Sequence, residues 1–154
     1  MKLRVVAMGH RMPAWVAAGW DDYVRRMPRE FTLELVALKP EPREGKPLQQ
    51  LLAAEAVRIT AACRGATTVA LDERGRAWTT RELATALARW RDGAIDVAFV
   101  IGSADGLADA VKKRAAAVLA LSAFTLPHGL CRVLLAEQLY RAASLVAGHP
   151  YHRD

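Results

Sequence analysis

Cysteine is scarce in this 154-residue chain, and the two present show no useful spacing. Cys63 and Cys131 are too few for a disulfide framework, and neither belongs to a CxxC or paired Cys/His pattern that would hold zinc. Long apolar runs are missing as well. The longest conspicuous uncharged stretch, Ala115 to Pro127, has 13 residues, short of the roughly 20 that span a bilayer. Lys2 and Arg4 precede only a brief apolar run before His10 and Arg11, which argues against a secretory leader. Like charges never gather into a block of five or six, so there is no basic tail to grip nucleic acid by itself. Gly9 is followed by His-Arg-Met-Pro, so the GxGxxG cradle of a dinucleotide fold is absent. GxxxxGK[ST], GxSxG and HExxH are absent too, which removes the P-loop, hydrolase-elbow and zinc-protease chemistries. The expectation is a soluble, cytoplasmic domain without metal or membrane partner.

What is present fits one α/β domain spanning residues 1–154. The chain is 53% hydrophobic and 25% charged, a globular composition. Lys plus Arg number 22 against 16 Asp plus Glu, a formal charge of +6. The excess is spread as +3, +1 and +2 over residues 1–50, 51–100 and 101–154. A surface for a polyanion must therefore be assembled by folding or by oligomerisation.

Short β-like runs alternate with helical patterns. Strands are expected at Lys2–Met8, Phe31–Leu38, Thr67–Leu71, Ile95–Ile101 and Val118–Leu121. The continuous apolar run at Ile95–Ile101 is what a strand buried on both faces of a parallel sheet requires. Helices are expected from Pro13 to Met27, over Leu48–Cys63, from the capping box Thr79-Thr-Arg-Glu82 to Asp92, briefly through Lys112–Arg114, and over Gly129–Ala147. The loop from Lys39 to Pro47, with three prolines, is expected to be the most mobile segment. Together these predict a mainly parallel sheet with helices on both faces.

Ligands of such sheets sit beyond the carboxyl ends of strands. Leu71-Asp72, the turn Gly102-Ser-Ala-Asp-Gly106 and the segment Leu121-Ser-Ala-Phe-Thr-Leu-Pro-His128 all fall there. The plain structural alternative is a core connection in which Ser122 and Thr125 satisfy local backbone donors. His149-Pro-Tyr-His152 is a poor metal pair, because proline breaks helical spacing and no further ligand is near in sequence. Tyr151 and Arg153 suit a base and a phosphate. The last helix is apolar on more than one side, which points to a subunit interface.

Met1–Gly9, Leu71-Asp72, Ile101-Gly102, Leu121 through His128, Glu137-Gln-Leu-Tyr-Arg141 and His149-Pro-Tyr-His-Arg153 run in order along the chain. In these pieces the sequence resembles the bacterial 23S ribosomal RNA pseudouridine-N3 methyltransferase family, the small single-domain branch of the SPOUT methyltransferases. The resemblance implies a C-terminal trefoil knot, a homodimer, S-adenosylmethionine as cofactor and 23S rRNA within the ribosome as substrate. It implies cofactor contacts at Leu71, Gly102, Leu121, Ser122, Ala123, Phe124, Thr125 and Leu126. It places His128, Tyr151 and Glu137 at the chemistry, His128 being the first candidate base, and Arg132, His152 and Arg153 toward RNA. One turn departs from the family pattern, reading Gly-Ser-Ala-Asp-Gly where Gly-Gly-Pro-Glu-Gly is usual. Without the resemblance, the rival readings are a mononucleotide- or flavin-binding module and a plain RNA-binding module.

Overall fold

The computed structural model describes residues 1–153. Among them, β1 (Lys2–Met8), α1 (Ala14–Arg26), β2 (Thr32–Leu38), α2 (Leu48–Ala62) and β3 (Thr67–Ala77) lead into α3 (Thr80–Asp92), β4 (Val97–Ile101), α4 (Asp109–Arg114), β5 (Ala117–Ala120) and α5 (His128–Val146). All strand pairings are parallel, in the order β2-β1-β4-β3-β5. The alternation of element types read from sequence is therefore the alternation found.

A parallel sheet is stable only when both faces are covered, and strand periodicity divides the apolar side chains accordingly. On one face Leu3, Val5 and Ala7 of β1 and Val97, Phe99 and Ile101 of β4 pack with Trp20 of α1, Leu87 and Trp90 of α3, and Leu135 and Leu139 of α5. On the other, Val6, Met8, Ala98 and Val100 meet Ile59 of α2, Cys63 at its C-cap and Val111 of α4. All five residues of β4 are buried, as its continuous apolar run requires. The start of α3 carries the expected capping box. Thr79 Oγ1 accepts from the Glu82 N–H at 3.1 Å, and Glu82 Oε2 accepts from the Thr79 N–H at 2.7 Å.

Three departures matter for the site. β3 does not stop at Leu71 but runs to Ala77, and its pairing with β5 slips, so that Leu71 and Arg76 both face Leu119. Residues 72–75 are thrown out as a bulge beside the sheet edge. Gly75 permits it, because a Cβ there would fall 2.6 Å from the Leu119 carbonyl carbon. The loop 39–47 carries ties its composition does not announce: Glu41 pairs with Lys46 and Arg58, and Arg58 Nη1 donates to the Lys39 carbonyl at 2.6 Å. Finally, α5 begins at His128, one residue earlier than expected.

The helix after β3 lies on the first face and the helix after β4 on the second. Their connections diverge, and a crevice opens at the carboxyl ends of these neighbouring strands. Phe99, fully buried and edge-on to Trp90 at 6.3 Å, tests the first layer. Phe99→Ala is expected to cost about 3–5 kcal/mol, read as a drop in the urea midpoint; an unchanged midpoint would contradict this packing.

Candidate active site

A cleft of about 510 Å³ lies beyond the carboxyl ends of β3, β4 and β5. That is the size range of a site for a small organic ligand. Leu71, Gly102, Leu121, Ser122, Phe124, Thr125 and Leu126 line it, together with Asp72, Lys112, His128 and Cys131. Ala123 is exposed and lies outside that lining.

The floor of the cleft is a doubled-back turn. Ser103 bridges to Gly106, whose N–H donates to the Ser103 carbonyl at 2.9 Å, and Gly106 sits at φ +85°. A Cβ on Gly102 would lie 2.5 Å from the Gly106 carbonyl oxygen. Glycine is therefore required at 102 by the turn itself. At the rim, the Phe124 N–H donates to Ser122 Oγ at 2.9 Å, the local structural role weighed for that serine. Thr125 instead reaches across, its hydroxyl donating to Glu73 at 3.4 Å. Partial burial pushes the Asp72 carboxyl up, but the Arg74 N–H at 2.8 Å and the Lys112 ammonium at 3.3 Å outweigh it and hold it below its ordinary value.

The first turn of α5 is stitched to two strand ends. The His128 Nδ1–H donates to the Gly102 carbonyl at 3.0 Å, since a carbonyl can only accept. On the other side of the ring, Nε2 accepts from Arg132 Nε at 2.9 Å. Arg132 Nη2 donates to the Gly9 carbonyl, just past β1. Burial lowers the His128 pKa, the neighbouring Arg132 charge lowers it further, and the Gly102 bond opposes both only in part. The ring is a neutral imidazole with both nitrogens engaged. Arg132 does not sit where a phosphate contact was expected, being only 3% exposed.

Glu137 and Tyr151 form a second cluster. Tyr151 donates its hydroxyl to Glu137 Oε1 at 3.3 Å, and the Arg141 guanidinium lies 4.7 Å from the centre of the Tyr151 ring while pairing with Glu137. Burial raises the Tyr151 pKa and the Glu137 charge adds to it, so the phenol remains a donor. Nine residues separate His128 from Glu137 on one helix, which is two and a half turns and about 13 Å. They occupy opposite sides of α5. The single chain does not bring His128 together with the other two residues expected at the chemistry. Of the remaining expected RNA-facing residues, Arg153 is exposed and His152 half-buried.

The family described as "Predicted SPOUT methyltransferase" matches residues 1–152. The chain belongs to the SPOUT methyltransferase family. As a member it is an enzyme, a methyltransferase. Over 155 aligned positions it is 57% identical to a ribosomal RNA large subunit methyltransferase H of Burkholderia mallei (strain SAVP1), covering 99% of both chains. The protein of the same name in Burkholderia pseudomallei (strain K96243) is likewise 57% identical over 99% of both. Among solved structures, a probable methylase family protein of Haemophilus influenzae Rd KW20 is similar, with TM-score 0.58 and 16% identity, covering 99% of this chain and 70% of that one. A probable methyltransferase of Bordetella pertussis Tohama I gives TM-score 0.57 and 21% identity, covering 92% of this chain and 93% of its own. At those identities the structural likeness is one of fold.

Within this SPOUT member, sequence reasoning missed the Arg132–Gly9 contact and the bulge 72–75. His128 and Arg132 stand four apart on a helix, a spacing that marks neighbours, but nothing local names Gly9 as the partner. Among the described residues no group of three or more His, Cys, Asp or Glu could hold a metal ion, and no helix is long and apolar enough to cross a membrane.

Because the folded state depresses the His128 pKa, the unfolded chain takes up the proton first as pH falls. The stability from the neutral ring is complete above the unfolded value near 6.5 and is lost as pH falls from there through the folded value. The wild type is expected to lose melting temperature in that window relative to pH 8, and His128→Gln to lose less. Parallel pH profiles for the two proteins would refute the assignment.

Proposed function

We propose that this protein transfers a methyl group from S-adenosylmethionine to N3 of a pseudouridine in 23S ribosomal RNA, acting as a homodimer on assembled ribosomes in the cytoplasm. The observation that carries the reading is the cleft. It is built from strand-end loops around a glycine that its own turn requires, in a chain more than half identical to enzymes named for methylating large-subunit ribosomal RNA.

The residues suit the cofactor. Leu71, Leu121 and Leu126 offer apolar walls, and the close backbone at Gly102 leaves a ligand access to peptide groups. When bound, the cofactor supplies an electrophilic methyl on a sulfonium centre. The N3–H of pseudouridine lies between two carbonyls and is acidic for a base nitrogen, so the protein's work is to orient the base and help the proton leave. In this arrangement His128 orients, since its Nε2 is held by Arg132; it takes a proton only when Arg132 lets go. Glu137 and Tyr151 offer an acceptor and a donor, and Arg153 a cation for the phosphate backbone. His152 beside them completes an RNA-facing tail. The trefoil knot implied near the C-terminus belongs to the same reading, because the segments that would form it also line the cleft.

The dimer is inferred from α5. Packing against α1 and α3 absorbs Leu135, Leu139, Ala142 and Ala143, which accounts for much of the helix's surplus apolarity. Leu130, Val133, Leu134 and Glu137 remain, in a stripe along an open groove of about 550 Å³ shared with Tyr23, Trp78 and Leu83. A two-fold pairing along that stripe is the arrangement in which His128 of one copy and Glu137 of another serve one substrate.

Ribosomal particles lacking the modification, incubated with the protein and tritiated S-adenosylmethionine, are expected to gain label in 23S rRNA, and His128→Ala to slow the transfer at saturating substrate. Binding of flavin alone, or salt-sensitive RNA binding with no cofactor affinity, would replace the reading with one of its rivals. Leu134→Lys is expected to yield folded monomers by sedimentation, with transfer lost. A monomeric variant of full activity would rule out a shared site.

A further inference from the structure

Glu55 is a carboxyl in the wrong place for a surface helix. It sits on α2 at 2% exposure, where an apolar residue would serve packing better unless the oxygens have partners. They do, and the partners come from two different loops. The Ser103 hydroxyl donates to Glu55 Oε1 at 2.8 Å, and the Glu41 backbone N–H donates to Oε2 at 3.1 Å. A second tie runs alongside, with Arg43 pairing to Asp105 at 2.8 Å. Segment 39–47 and the turn 102–106 are thus buckled together through one buried carboxyl. The turn is anchored from the other layer by His128 at Gly102, so Glu55 is its anchor on the α2 side.

We propose that Glu55 and Ser103 are positioning residues that fix the turn 102–106 in its ligand-ready shape, with segment 39–47 holding Glu55 through the Glu41 N–H. The inference rests on the cofactor reading above and deepens it. Ser103, which stands where the family pattern has glycine, makes the tie to Glu55, and Asp105, the acid the pattern also keeps, makes the tie to Arg43. The departure at 103 therefore adds a side-chain anchor that a glycine there could not supply.

The test uses the full-length protein and two readouts. In Ser103→Ala without cofactor, amide exchange at residues 103–106 and 40–42 is expected to speed up relative to wild type. S-adenosylmethionine affinity by calorimetry is expected to fall about tenfold, the order of one lost hydrogen bond. Ser103→Thr keeps the hydroxyl and is expected to restore both. In turnover the loss should fall on the cofactor's KM rather than on kcat. Glu55→Gln, isosteric but with one acceptor replaced by a donor, is expected to speed exchange at 40–42. Unchanged exchange in Ser103→Ala, or unchanged affinity, overturns the proposal, as does a Ser103→Thr variant no better than the alanine. Failure of the wild type to bind S-adenosylmethionine overturns the cofactor reading instead, and exchange in the unliganded protein still decides the buckle.

Discussion

A guanidinium buried to 3% exposure sets the terms for this structure. A cation that far from water is tolerated only with close acceptors, and Arg132 finds them in the Gly9 carbonyl and His128 Nε2. Each acceptor carries a further demand. His128 can accept only as a neutral ring, so its remaining proton sits on Nδ1 and needs an acceptor of its own, which is the Gly102 carbonyl. Gly102 in turn must be glycine, because its turn doubles back against Gly106. One buried charge thereby joins α5 to the carboxyl ends of β1 and β4 and fixes the floor of the cleft. Removing any partner would strand the charge, which typically costs several kcal/mol.

The same turn is held from both layers of the molecule. From the α1–α3–α5 side it is anchored through His128, and from the α2–α4 side through Glu55. Neither contact adds apolar burial. Their effect is to place five residues at the carboxyl end of the central strand, where backbone alone would leave the turn several conformations. Precision at a ligand site comes from such supporting contacts more than from the residues that touch the ligand.

Most of the fold was legible in the sequence because it follows from local rules. The buried run of β4, the capping box of α3 and the alternation of strands with helices are written in consecutive residues. The bulge after Leu71 was not, since only the approach of β5 to Gly75 shows that the strand continues beyond Asp72. The ties of loop 39–47 were not legible for a related reason. Its prolines and charges read as solvated, and residues 42–47 are exposed, but the pairing of Glu41 with Arg58 joins positions 17 apart. The site was legible in part. The resemblance pointed to the strand-end segments, and seven of the eight expected cofactor residues line one cleft. The resemblance implied an RNA-facing role for Arg132, and nothing in the sequence signalled that its guanidinium would be buried against the distant Gly9 carbonyl.

The proposed chemistry divides between two sides of α5. On one side the helix presents His128 and Arg132, committed to holding the cleft together. Half a turn around and nine residues along stands Glu137, tied to Arg141 one turn further and to Tyr151 beyond the helix, beside an open apolar groove. A residue cannot both be locked as a structural acceptor and be free to exchange a proton, so in the proposed mechanism the division keeps rigidity and proton exchange on different groups. Such a division works only if something brings the second cluster to the first. Side-chain motion cannot cover about 13 Å along a helix. A second copy can, which makes the apolar stripe between the two clusters the part of the molecule on which the proposed chemistry turns.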